Sequence, residues 1–206
     1  MSIPDDVLEK LAPQPYAEVR RSVRDGDILL CSADDGASRL IRWATRSRWS
    51  HIAIAFRIEE IDRVIVLESV IKFGVRAVPL STFISRTSSG TAPYPGRILL
   101  ARHDDLATDR ATAALRRMAG FAFDRLGEPF AMGEVPKILL RILLGGFDVR
   151  LPESLGPDDE FICSEYVARC YAAMGVEIPW DGLGFIGPGD FATDPAIRPL
   201  AQIQTR

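Results

Sequence analysis

The sequence predicts an α+β fold: a mostly antiparallel sheet with helices drawn from both ends of the chain, in one domain. Three observations lead there. Segments between Asp27 and Ala101 are apolar and β-branched, with short turns between them. Segments after Asp109 repeat their apolar residues at helical spacing. A length of 206 residues suffices for one sizeable core and is short for two.

Taken in order, a short helix is expected around Asp6 to Leu11, stopped by Pro13 and Pro15. After the turn residues Asp25-Gly26, Asp27 to Cys31 reads as a buried strand. Leu40, Ile41 and Ala44 recur at helical spacing within Gly36 to Ser47, with Arg39, Arg42 and Arg46 largely on another face. His51 to Ile58 alternates: Ile52, Ile54, Phe56 and Ile58 lie on one side, and His51, Ala53, Ala55 and Arg57 on the other. Glu59 to Arg63 supplies a polar turn before the strand Val64 to Val70. Further strands are expected over Gly74 to Val78 and Arg97 to Ala101. Helices follow over Asp109 to Phe123, with Thr108 as cap, and over Pro136 to Leu144. A third covers Phe161 to Met174, where Ile162, Tyr166, Val167, Cys170, Tyr171 and Met174 form one stripe and Gly175 is the stop.

Composition narrows the function classes. With 47% hydrophobic and 26% charged residues and a net charge of −3, the chain reads as a soluble globular protein rather than a nucleic-acid binder, which would be basic. The N-terminus lacks the pattern of a secretory signal. The apolar run Ile138 to Leu144 is broken by Arg141 and is far shorter than the roughly 20 residues that span a bilayer. Three cysteines without framework spacing point to free thiols in a reducing compartment, with the cytoplasm as the expected location. Cysteine and histidine lack zinc-ligand spacing, so neither metal nor other cofactor is expected.

Thiol chemistry needs a lowered pKa, a base within hydrogen-bond reach and a group that orients the base. Of two histidines, His51 opens a strand beside two small alanines, Ala53 and Ala55, that leave space. His103 sits in the polar run Arg102-His103-Asp104-Asp105, which reads as a solvated loop. Glu68 is a carboxylate within an apolar strand. A hairpin about Glu60-Ile61 sets Glu68 opposite Ala53 and makes it the diagonal neighbour of His51, whereas a one-residue slip would part them. Cys163 falls in the first turn of a helix, where the dipole favours a thiolate and free N–H groups can meet an oxyanion. Cys31 and Cys170 read as core.

Each residue also has an ordinary structural reading. Cys163 can be a packing thiol, His51 a core or edge histidine, and Glu68 the partner of an arginine such as Arg42 or Arg76.

The surrounding sequences resemble a known family. They run from Gly26-Asp27-Ile28-Leu29-Leu30 through Ser38-Arg39-Leu40-Ile41-Arg42-Trp43-Ala44-Thr45 to Trp49-Ser50-His51-Ile52-Ala53-Ile54. Val66-Leu67-Glu68-Ser69 and Gly74-Val75-Arg76-Ala77-Val78-Pro79-Leu80 follow. Phe161-Ile162-Cys163-Ser164-Glu165-Tyr166-Val167 and Gly187-Pro188-Gly189-Asp190-Phe191 stand late in the chain. Together they are similar to the circularly permuted branch of the NlpC/P60 superfamily, the YiiX/YaeF-like papain-fold proteins, in which histidine and acid precede cysteine. The resemblance implies a single permuted papain-like domain over 1–206, with a core of about 24–192 after an N-terminal lead of 1–23. Within it, a helix carrying the cysteine would pack on a small antiparallel sheet or partial barrel, with Cys163 facing His51 and Glu68. Where the family often has Gly-x-Pro-Tyr, this chain has Gly127-Glu128-Pro129-Phe130 and lacks the hydroxyl.

The expected function is a thiol-dependent hydrolase of amide or ester bonds working through an acyl-enzyme, with a small peptide or an acyl lipid as substrate. Two alternatives compete. One is an acyltransferase like the lecithin:retinol acyltransferases, whose Asn-Cys-Glu-His pattern is here Ile162-Cys163-Ser164-Glu165. The other is a binding module without catalysis. Peripheral membrane contact is an expectation tied to the Ile138 to Leu144 run, and Arg39, Arg42, Arg46 and Arg48 are candidates for holding an anionic head group.

Overall fold

The computed structural model describes residues 3, 5–85, 92–107, 111–129, 162–180 and 186–205. In chain order these form α1 (Asp5–Lys10), β1 (Pro13–Gln14), α2 (Tyr16–Ser22), β2 (Asp27–Ala33), α3 (Gly36–Ala44), β3 (His51–Ile58), β4 (Arg63–Val70) and β5 (Gly74–Pro79). Then come α4 (Leu80–Ser85), β6 (Gly96–His103), α5 (Ala111–Asp124), α6 (Cys163–Met174), α7 (Pro188–Thr193) and β7 (Ile197–Ile203). The helix expected over Pro136 to Leu144 lies outside the described residues.

The strands make one sheet in the order β1-β7-β6-β2-β3-β4-β5. Neighbours are antiparallel except β1 and β7, which run parallel through Pro13↔Gln202 and Gln14↔Ile203. The first and last strands therefore meet at one sheet edge. β7 contains Pro199, which has no N–H to donate, and the ladder with β6 shifts register there: Leu100 pairs with Ala201 and Ala101 with Pro199.

The sheet is covered on both faces, so the middle strands are buried almost throughout and do not alternate. On one face Ile28, Leu30, Ile52, Ile54, Phe56 and Leu67 share a core with Met118 and Ala122 of α5 and with Tyr166, Val167, Cys170 and Tyr171 of α6. The stripe expected along α6 is the face it buries, and each such apolar side chain contributes on the order of 1.5–3 kcal/mol relative to exposure. On the other face Leu29, Cys31, Ala53, Ala55 and Val66 pack with Val19 of α2 and with Leu80, Phe83 and Ile84 of α4. Ala53 and Ala55 are thus fully buried in a second core. Neither α2, α4, α7 nor β7 was legible as periodicity.

His103 departs from its expected solvated loop. It ends β6, is buried, accepts from the Asp105 N–H at 3.2 Å through Nδ1, and meets the Tyr171 ring edge-on. The last residues of β6 pair with β7, and that pairing draws the polar run inward.

Two tyrosines fix where α6 begins. The Tyr166 hydroxyl donates to the Ala122 carbonyl of α5 at 2.8 Å, and that of Tyr171 to the Gly26 carbonyl before β2 at 2.8 Å. At its C-terminus Gly175 adopts φ +91°, and its N–H caps the last turn.

Candidate active site

His51 is the first residue of β3 and Glu68 lies two residues before the end of antiparallel β4. The ladder between them runs from Ile58↔Arg63 to Ile54↔Leu67 and stops. Continued by one residue, this register sets Glu68 opposite Ala53, as the hairpin about Glu60-Ile61 requires. β3 is held in turn by Cys31↔His51 pairing and by Ser50, whose N–H donates to the Cys31 carbonyl at 2.9 Å.

The side chains meet. His51 Nε2 lies 2.7 Å from Glu68 Oε2, with the imidazole half-buried and the carboxylate 3% exposed. Cys163 opens α6, which packs on β3 and β4, and its thiol is an electrostatic partner of the His51 ring. Since Glu68 occupies Nε2, Nδ1 is the nitrogen that remains for sulfur. The backbone N–H groups of Ile52 and Ser164 add to the stabilisation of the Cys163 thiolate.

Electrostatics separate this cysteine from the other two. Burial alone would push the Cys163 thiol up, but the charge and hydrogen bond of His51 and the two backbone N–H groups hold it below its ordinary value. Burial would likewise pull the His51 imidazolium down; the Cys163 thiolate and then Glu68 overcome this and push it up to about 10. Glu68, which burial would raise, is held below the usual carboxylate range by His51 and Arg76. Cys31 and Cys170 are buried and their thiols are pushed up by desolvation. Both are core groups, as their positions in the sequence suggested.

The ordinary reading of Glu68 holds as well. Arg76 donates to its second oxygen, Oε1, through Nε at 2.9 Å and Nη2 at 2.6 Å. The signal for this was available: the short Ile71 to Phe73 turn fixes Glu68↔Arg76 as direct cross-strand partners of opposite charge. The contact from Ile52 had no such signal, since it depends on where one ladder stops. Arg42 is tied to Ser32 Oγ at 3.0 Å and to Asp34 at 3.1 Å. The Ile138 to Leu144 run and Phe130 lie outside the described residues.

Among the described residues no group of three or more His, Cys, Asp or Glu side chains is arranged to hold a metal ion. At the site one ring nitrogen, Nε2, is taken by Glu68. No helix among the described residues is long and apolar enough to cross a membrane.

Residues 22–137, more than half of the chain, match the family described as permuted papain-like amidase enzyme, YaeF/YiiX, C92 family. The match includes His51 and Glu68 and ends before Cys163. No curated protein matches the chain. Among solved structures, the crystal structure of metalloprotein yiiX from Escherichia coli O157:H7 is similar with a TM-score of 0.61 at 18% identity, over 86% of this chain and 96% of that one. That likeness shows a shared fold. With the family's fold over most of its length and the family's sequence over more than half, this chain belongs to the permuted papain-like amidases and is an enzyme of the cysteine-hydrolase kind.

Proposed function

We propose that the chain is a thiol-dependent hydrolase of amide or ester bonds in a peptide or acyl substrate, with Cys163 as nucleophile, His51 as base and Glu68 as orienter. One observation carries the reading: His51 Nε2 lies 2.7 Å from Glu68 Oε2, and the charge of the same ring interacts with the Cys163 thiol at the start of α6. Such a set supports a thiolate beside an imidazolium.

The steps follow from this pair. The thiolate attacks the substrate carbonyl carbon, and the C=O π electrons move to oxygen. That oxyanion faces the start of α6, where the Cys163 N–H has no acceptor within the helix. Collapse of the adduct breaks the C–N or C–O bond, and the imidazolium gives its proton to the leaving amine or alkoxide. A thioester remains. Neutral His51 then takes a proton from water as its oxygen attacks the thioester, and collapse returns the acid, the thiolate and the imidazolium. Glu68 keeps the ring oriented throughout. Three free cysteines fit a reducing compartment, and the cytoplasm is the proposed location.

The test is to quench hydrolysis of a nitrophenyl ester or anilide with acid and map the acyl adduct by mass spectrometry. The adduct is expected on the Cys163 peptide alone. Cys163→Ala is expected to abolish it and lower kcat by roughly 10⁴-fold or more. Undiminished hydrolysis by Cys163→Ala would overturn the reading.

A further inference from the structure

Glu68 has two carboxylate oxygens and gives each to a different partner: Oε2 to His51 and Oε1 to Arg76. The geometry around Arg76 is closely fixed. Its guanidinium lies against the Phe73 ring, 4.9 Å from the centroid. Its strand is held on the outer side by the segment that follows α5: the Val75 N–H donates to the Glu128 carbonyl at 2.8 Å, and the Gly127 N–H to the Val75 carbonyl at 2.9 Å. Gly74, at φ +64°, permits this approach, because a Cβ there would stand 2.0 Å from the Glu128 oxygen. Two N–H donors of one guanidinium thus converge on one oxygen of a carboxylate that is almost wholly removed from water.

We propose that Arg76 is a positioning residue of the site: through Glu68 it holds the His51 imidazolium in place and so sets the acid limit of the Cys163 thiolate. This rests on the reading of Cys163, His51 and Glu68 as nucleophile, base and orienter.

The groups around Glu68 give the direction of the effect. His51 faces it from β3 and Arg76 from β5. Cys31 of β2 and the Tyr94 hydroxyl interact with it, and both stay protonated because burial pushes them up. Helix α4, packed on β4, carries no ionisable side chain. From α6, Cys163 acts through His51, while Glu165 and Arg169 pair with each other at 2.8 Å. Arg76 is therefore the permanent cation that acts on Glu68 directly. Without it a buried carboxylate depends on His51 alone and takes up a proton at higher pH. Protonated Glu68 no longer steadies the imidazolium, and the thiolate is lost with it. Removing the Arg76 charge must move the acid limit upward.

The experiment is the rate of Cys163 alkylation by iodoacetamide between about pH 4 and 9, mapped by peptide mass in the full chain. Wild type, Arg76→Gln, Arg76→Lys and Glu68→Gln with and without Arg76→Gln are compared. Arg76→Gln is expected to shift the acid limb up by about one pH unit, the effect of one lost charge-assisted contact. Arg76→Lys keeps the charge but loses the paired donors and the planar contact with Phe73, and is expected to move the limb by less than half as much as Arg76→Gln. In the Glu68→Gln background Arg76→Gln is expected to add nothing. Superimposed limbs for Arg76→Gln and wild type would overturn the proposal while leaving the thiolate pair intact. A wild-type Cys163 that titrates like a free thiol, near about 8.5, would overturn the underlying reading and the proposal together. Should Arg76→Gln fail to fold, Arg76→Lys decides: a limb kept near wild type supports the proposal, and a limb moved by a full unit overturns it.

Discussion

The backbone N–H of Ile52 favours the thiolate of Cys163 from the place where the β3–β4 ladder ends. Pairing stops at Ile54↔Leu67, and Ile52 lies past the last rung. Main chain from two elements, Ile52 of β3 and Ser164 of α6, thereby adds to the His51 ring in lowering the thiol. Main-chain donors persist whatever the protonation state of His51.

That arrangement predicts a split between two pH profiles. Cys163 lies below its ordinary value and His51 is pushed up to about 10. Between those limits the pair is thiolate and imidazolium. Above about 10 the imidazolium loses its proton and can no longer protonate the leaving group. Hydrolysis is expected to fall there while alkylation of Cys163 stays fast. An alkaline limb near about 6.5, the value of a free imidazole, would contradict it.

Glu68→Gln keeps the shape of the side chain and removes its charge. The expected loss in kcat/KM is on the order of 10²- to 10⁴-fold, as for a misoriented base. Stability changes with a definite sign. Glu68 is lowered in the folded protein, so its contribution is present above the unfolded value of about 4.3 and is lost as pH falls through the folded one. Urea denaturation should show a stability gap between wild type and Glu68→Gln at pH 7 that closes below about pH 4. A gap independent of pH would rule out the charge as its source.

At the other end of β2, Asp27 is fully buried and accepts from Arg102 Nε at 2.6 Å and Nη2 at 2.8 Å. Arg102→Ala strands that carboxylate and is expected to cost about 3–5 kcal/mol, measured by denaturant melts. Arg198, exposed and 2.7 Å from Asp104, is the control. Arg198→Ala should leave the midpoint unchanged. Equal effects of the two changes would refute the burial argument.

How much was legible beforehand depended on the range of the interaction. His51 to Ile58 was readable to the residue because alternation and a polar turn are local, and the same turn set Glu68 on the face of His51. The end of α6 was readable from Gly175, whereas the helix expected from Phe161 begins at Cys163, after Ile162 in extended conformation. By contrast, α4 has six residues, too few to show a period, and β7 is interrupted by Pro199. Alanines 53 and 55 looked like open space because small size is the same sign whether a neighbour is absent or close; here α2 and α4 belong to their core. His103 misled because its polar neighbours are local and its burial is not.

The parallel contact of β1 with β7 brings Gln14 and Gln204 within one hydrogen bond, N–H to carbonyl at 2.8 Å. Spatial neighbourhood at that edge is thus independent of which residue is synthesised first. A chain linked from Thr205 to Pro13 and reopened between α5 and α6 would meet its cysteine before its histidine during translation. It would still close the same sheet. In this protein, then, the order in which the reacting groups leave the ribosome and the order in which they stand in the site are separate properties, and only the second bears on chemistry.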